Sequence, residues 1–163
     1  MKAKTIFTAS LFLFVAMALS GDKPDFTGTW SLDQEKSQLG EFGGRFLASK
    51  MTVKQVGDSL TIERVYKREG QEDMLLVEKL SLDGKESTSQ FRNSPRVSTA
   101  NWADEGKTLK IDSKTTFERE GNTFEMQASE LWALSEEGKV LTINSTRTSP
   151  RGETKTVLVF AKE

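Results

Sequence analysis

The sequence predicts an all-β fold, a single up-and-down antiparallel meander of about 8–10 strands closed into a barrel. Three observations carry that expectation. Gly57-Asp58-Ser59-Leu60-Thr61-Ile62, Gly106-Lys107-Thr108-Leu109-Lys110-Ile111 and Gly138-Lys139-Val140-Leu141-Thr142-Ile143 are near-copies of one another. Each is a glycine turn feeding a strand with apolar residues on alternate positions, the period of a strand with one buried face. Strand signals recur at intervals of roughly eight to fifteen residues, with turn formers between them. The intervening turns are too short for parallel crossovers, which need a dozen or more residues.

In order, strands are expected near 27–32, 50–56, 60–67, 73–82, 86–92, 97–103, 107–117, 123–134, 140–148 and 153–161. The turns between them fall at Gly57-Asp58, Asp83-Gly84-Lys85, Asn93-Ser94-Pro95, Glu105-Gly106, Gly121-Asn122, Glu137-Gly138 and Pro150-Arg151-Gly152. One helical segment finds room, Leu39 to Lys50, where Leu39, Phe42, Phe46 and Leu47 would cap an end of the sheet. An open meander of this size leaves two unpaired edges, and closure removes them. The first and last strands are therefore expected to pair.

The chain has 163 residues, a one-domain length. Its start reads as an export signal over residues 1–20: Lys2 and Lys4, an apolar run from Ile6 to Leu19, then small residues at Ala16, Ala18 and Ser20. That run is shorter than the ~20 residues of a comfortable membrane span. The expectation is a secreted or periplasmic chain, cleaved near residues 18–21, with the barrel domain over 21–163 and no membrane span in the mature part. There is no cysteine, which excludes disulfides, thiolate metal sites and a lipid-modified cysteine. A disulfide-free exported domain fits a bacterial periplasm better than an animal secretory route. Removing Lys2 and Lys4 leaves 21 basic and 24 acidic residues, a net charge of −3, with the two signs interspersed. Nucleic acid is not an expected partner of such a surface.

Alternation names the inward residues. They are Leu60, Ile62, Arg64 and Tyr66; Met74, Leu76, Glu78, Leu80 and Leu82; Ala100 and Trp102; Leu109, Ile111, Ser113, Thr115 and Phe117; Phe124, Met126, Ala128, Glu130, Trp132 and Leu134; Leu141, Ile143, Ser145 and Arg147. The repeated strands begin apolar and turn polar at the third inward position, Arg64, Ser113 and Ser145. Glu78 and Glu130 stand in otherwise apolar inward series. A lone buried carboxylate is costly, so these acids are expected to meet Arg64, Arg147, a hydroxyl or water. The residues alone leave two arrangements open. In one, the barrel is plugged by apolar side chains at one end and lined by polar groups and Trp132 at the other, with room for a small ligand. In the other, a bulge shifts the register, or the charged residues ring the mouth as solvated ion pairs.

Asp25-Phe26-Thr27-Gly28-Thr29-Trp30-Ser31-Leu32, followed by Glu35-Lys36-Ser37, resembles the opening of bacterial secreted lipocalin-like proteins. Lipocalins and avidin-type barrels, together the calycins, begin their first strand with Gly-x-Trp, matched here by Gly28 and Trp30. The resemblance implies a lipocalin-like barrel whose tryptophan closes the floor against a basic residue near the chain end. Lys162 stands at that place, where lipocalins usually have arginine. It also implies carriage of small, mostly apolar molecules.

Zero histidines removes the usual neutral-pH base, the histidine-containing triads and most zinc and haem sites. No phosphate-cradling glycine loop and no EF-hand spacing occurs, and no cofactor is expected. The leading expectation is a non-catalytic carrier of an apolar or amphipathic molecule. Arg64, Glu78, Glu130 and Arg147 would orient its polar end, and Tyr66, Trp102 and Trp132 would supply contact area. Two alternatives stand beside it. One is a filled barrel acting in envelope protein–protein interactions through the 39–50 segment or the 93–96 loop. The other is an enzyme using Glu78 and Glu130 as a carboxylate pair.

Overall fold

A computed structural model describes residues 23–40, 47–135 and 137–163. The export signal expected over 1–20 lies outside the described residues, as do Phe42 and Phe46 of the expected cap. Ten strands follow in chain order: β1 (Gly28–Leu32), β2 (Lys50–Val56), β3 (Ser59–Tyr66), β4 (Met74–Ser81), β5 (Ser87–Phe91), β6 (Ser94–Ala103), β7 (Thr108–Arg119), β8 (Asn122–Leu134), β9 (Val140–Ser149) and β10 (Gly152–Lys162). Among the described residues no helix is long and apolar enough to cross a membrane. None of the described residues of the 39–50 segment is helical, and Lys50 already opens β2. Leu39 and Leu47 still pack against the core.

The sheet order is β4-β3-β2-β1-β10-β9-β8-β7-β6-β5, antiparallel throughout. Chain start and chain end pair, with Trp30 opposite Lys162 and Leu32 opposite Phe160. The ends of the sheet, β4 and β5, are consecutive strands. The turn at 83–85 therefore spans a seam, not a ladder, and the barrel is nearly closed. The seam is pinned at one end by a bridge between Asp83 and Asn101 and by the Gly84 N–H donating to the Ala100 carbonyl at 3.0 Å. Gly84 has φ +81, a left-handed conformation that favours glycine where the turn closes on β6.

Two turns lie one residue earlier than their sequence suggests. Arg92 and Asn93 take the positive φ values of a two-residue hairpin turn, so Ser94 and Pro95 already belong to β6. Glu120 and Gly121 do the same between β7 and β8, and Asn122 pairs with Arg119. No bulge inverts the faces. The inward series is buried from Leu60 to Tyr66, from Leu76 to Leu82 and from Leu109 to Thr115. Phe124 departs from it and is exposed, because β8 pairs with β9 only from Gln127 onward. The tip of the β7–β8 hairpin therefore overhangs the barrel, with Phe117 and Phe124 stacked 5.1 Å apart.

The floor of the barrel is apolar. Phe26 is fully buried, stacks on Trp102 at 6.1 Å and meets Trp132 edge-on at 5.6 Å. Its carbonyl accepts from Trp30 Nε1 at 2.9 Å, and its N–H donates to Gln55 Oε1 at 3.2 Å. The segment before β1 thus tucks across the floor with its polar atoms satisfied. Leu60, Ile62, Leu109, Ile111, Leu141, Ile143 and Phe160 complete this layer. Each such side chain contributes about 1.5–3 kcal/mol by burial.

Candidate functional site

Above the floor, each repeated strand turns polar, and the polar residues meet at one level of the barrel. Arg64 of β3 reaches across to Glu130 of β8 in a two-pronged pair, Nη1 to Oε1 at 2.8 Å and Nη2 to Oε2 at 2.7 Å. Trp132 Nε1 donates to the same Oε2 at 2.9 Å, and the Arg64 guanidinium lies 5.6 Å from the Trp132 ring centroid. Burial alone would push the Glu130 carboxyl up. Attraction to Arg64 and the hydrogen bonds from Arg64 and Trp132 outweigh it and hold the group at about 2. Arg64 is raised well above its ordinary value: burial works against its charge, and Glu130 more than compensates.

A second pair crosses the seam. Glu78 of β4, 1% exposed, accepts through Oε1 from Arg96 Nε at 2.8 Å and from Ser98 Oγ at 2.9 Å, both on β6. Arg96 Nη1 donates to Thr115 Oγ1 on β7 at 3.2 Å. Between them, β5 faces Arg96 and Ser98 with only Ser89 and Ser87 in register. Those short side chains leave the space through which β6 reaches β4.

The sequence places Arg96 in a surface loop, but it is 7% exposed and belongs to the interior. Pro95 reads as a turn residue and hides this, although stepping back by twos from Ala100 gives Ser98 and Arg96. The partner of Glu78 is accordingly Arg96, neither Arg64 nor Arg147. Arg147 of β9 is half-buried and has no hydrogen-bond or ion-pair partner among the described residues, its Nε being buried without one.

Arg64, Tyr66, Glu130, Ser145 and Arg147 line a small interior cavity of about 20 Å³, closed by Met51, Leu158, Phe160 and the 47–48 segment. Tyr66 meets Phe91 edge-on at 5.6 Å. Beyond them, Arg68, Gln71, Met74, Arg92 and Asn93 line an open depression of about 480 Å³ at the mouth. Glu78, Trp102 and Trp132 line neither space. Trp132 belongs to the floor, opposite Leu109 and Ile143, and not to the polar end. Trp102 is stacked under Phe26, with Lys23 Nζ 5.2 Å from its ring centroid. At the closing end of β1, Lys162 Nζ lies 5.2 Å from the Trp30 ring centroid. Gly28 makes room for it, since a Cβ there would fall 2.6 Å from Lys162 Cε.

No family model matches the chain, and no curated protein matches it. Among solved structures it is similar to zebrafish ileal bile acid-binding protein complexed with cholic acid. The TM-score is 0.56, over 85% of this chain and 98% of that one, at 16% identity. The fold is of the calycin type. Within this calycin-type barrel the two carboxylates do not form a pair of their own, since each is claimed by a different arginine. Glu130 is ionised near neutral pH, the reverse of the raised carboxyl that a general acid needs.

Proposed function

We propose that this chain is an exported carrier that binds an amphipathic small molecule in the barrel without transforming it. Arg64, Tyr66, Glu130 and Arg147 would surround its polar end. Glu78 and Trp132 act behind this contact surface, Glu78 by holding the seam and Trp132 by fixing Glu130, while Trp102 belongs to the floor. The export part of the reading rests on the leader pattern of residues 1–20. The observation that carries the binding part is the position of the ionic layer. A barrel shaped for stability alone fills with hydrocarbon, because replacing buried ion pairs by packed apolar residues is often neutral or stabilising. Here the charged layer lies above an apolar floor, with the Tyr66–Phe91 pair on its mouth side, and a cavity opens beside it. The solved neighbour, complexed with cholic acid, supports the same reading.

Native mass spectrometry of gently purified chain tests the proposal. A retained small molecule that denaturation releases is the expected result. A bare mass, with no uptake of either decanoate or 1-decanol on titration, contradicts it. The narrowness of the inner cavity favours a second reading, a filled barrel that works through its surface. That reading predicts the bare mass.

A further inference from the structure

Resting on the carrier reading, we infer that the ligand is an amphiphile with a single negative charge, an oxyanion head group received by Arg147. Among the described residues, the polar layer holds three guanidinium groups, those of Arg64, Arg96 and Arg147, against two carboxylates, Glu78 and Glu130. Both carboxylates are consumed: Glu130 by Arg64 in a two-pronged pair, Glu78 by Arg96. One positive charge among these is left over, that of Arg147, which lines the cavity beside the Arg64–Glu130 pair. A charge in such surroundings is costly unless a counter-charge meets it. A head group with one negative charge restores neutrality to the layer. A neutral head group does not, and a cation adds to the imbalance.

The neighbours of Arg147 fit this role. Its cross-strand partners are Ala128 and Thr154, both short, and Ser145 lies two positions further down the same face of β9. The cavity beside it has room for about one water-sized group. That admits a head-group oxygen and excludes a whole amphiphile. The tail therefore stays outside this cavity, on the mouth side of Arg147. Arg147 stands on the mouth side of the Arg64–Glu130 level, since Glu130 is opposite Ser145 and Arg147 is opposite Ala128. A head group reaches it without breaking either ion pair.

The test compares decanoate, 1-decanol and decylammonium, which share a tail and differ in head charge, by titration calorimetry on the wild-type chain and on Arg147→Met. The wild type is expected to bind decanoate about tenfold or more tighter than 1-decanol, as a charge-assisted hydrogen bond implies, and decylammonium most weakly. In Arg147→Met the advantage of decanoate over 1-decanol falls to about one, with the 1-decanol affinity retained. Arg147→Lys restores part of it, and Arg151→Gln, on the exposed β9–β10 turn, leaves it unchanged. Equal binding of decanoate and 1-decanol by the wild type overturns the anion inference and leaves the carrier reading standing. Survival of the advantage in Arg147→Met overturns the assignment to Arg147. Failure of all three to bind the wild type overturns both.

Discussion

The floor and the ionic layer of this barrel are built from the same strands and obey opposite physics. In the floor, Phe26, Trp30, Leu60, Leu109 and Leu141 are buried against one another, and each contributes by leaving water. One or two inward positions higher, the same β3, β8 and β9 carry Arg64, Glu130 and Arg147. There, desolvation of the charges offsets most of what the ion pairs return. The floor accounts for why the chain folds. The ionic layer is the part that stability does not explain.

The sharpest way to break this comparison is to remove one charge from the most deeply buried pair. Glu78→Gln leaves Arg96 buried across the seam without its counter-charge, and a loss of about 3–5 kcal/mol is expected by denaturant titration. Glu78→Leu with Arg96→Met restores most of that stability if the layer is not a stabilising device. A double variant no better than the single would show that the seam depends on the pair itself.

A smaller effect lies in acid. The Glu130 carboxyl is depressed, so its contribution is complete above its ordinary value near 4.5 and is lost as pH falls toward about 2. That contribution is on the order of 3 kcal/mol. Thermal melts between pH 5 and pH 2 should decline more steeply for the wild type than for Glu130→Gln. Parallel declines would remove Glu130 from the account. The smallest effect belongs to the chain ends. Lys162→Met keeps the packing over Gly28 but deletes the charge above Trp30, at a cost of about 0.5–1 kcal/mol. A loss several times larger would mean that barrel closure depends on that charge.

Much of this was legible in the sequence, because period-2 alternation is a local signal. It places Leu60, Ile62, Arg64 and Tyr66 on the buried face of β3, and Leu109 to Thr115 on that of β7, as the structure does. Pairing across the interior is not local. Nothing near Glu78 in the chain announces that its counter-charge is Arg96, eighteen residues on and beyond an intervening strand. Pro95 conceals that residue further by imitating a turn. The seam was equally hidden, since Asp83-Gly84-Lys85 has the composition of any hairpin turn. Which end of the barrel Trp132 occupies depends on Phe26 folding back across the floor, a contact made from outside the strands.

The most direct test of the binding layer uses the three tryptophans. Their indole N–H groups report on different levels: Trp30 donates to the Phe26 carbonyl in the floor, and Trp132 donates to Glu130 in the ionic layer. In ¹H–¹⁵N spectra recorded while decanoate is added, the Trp132 indole signal is predicted to shift in a saturable way, with that of Trp30 nearly unmoved. A Trp132 signal that stays in place at saturating decanoate, or a shift confined to Trp30, would contradict the account.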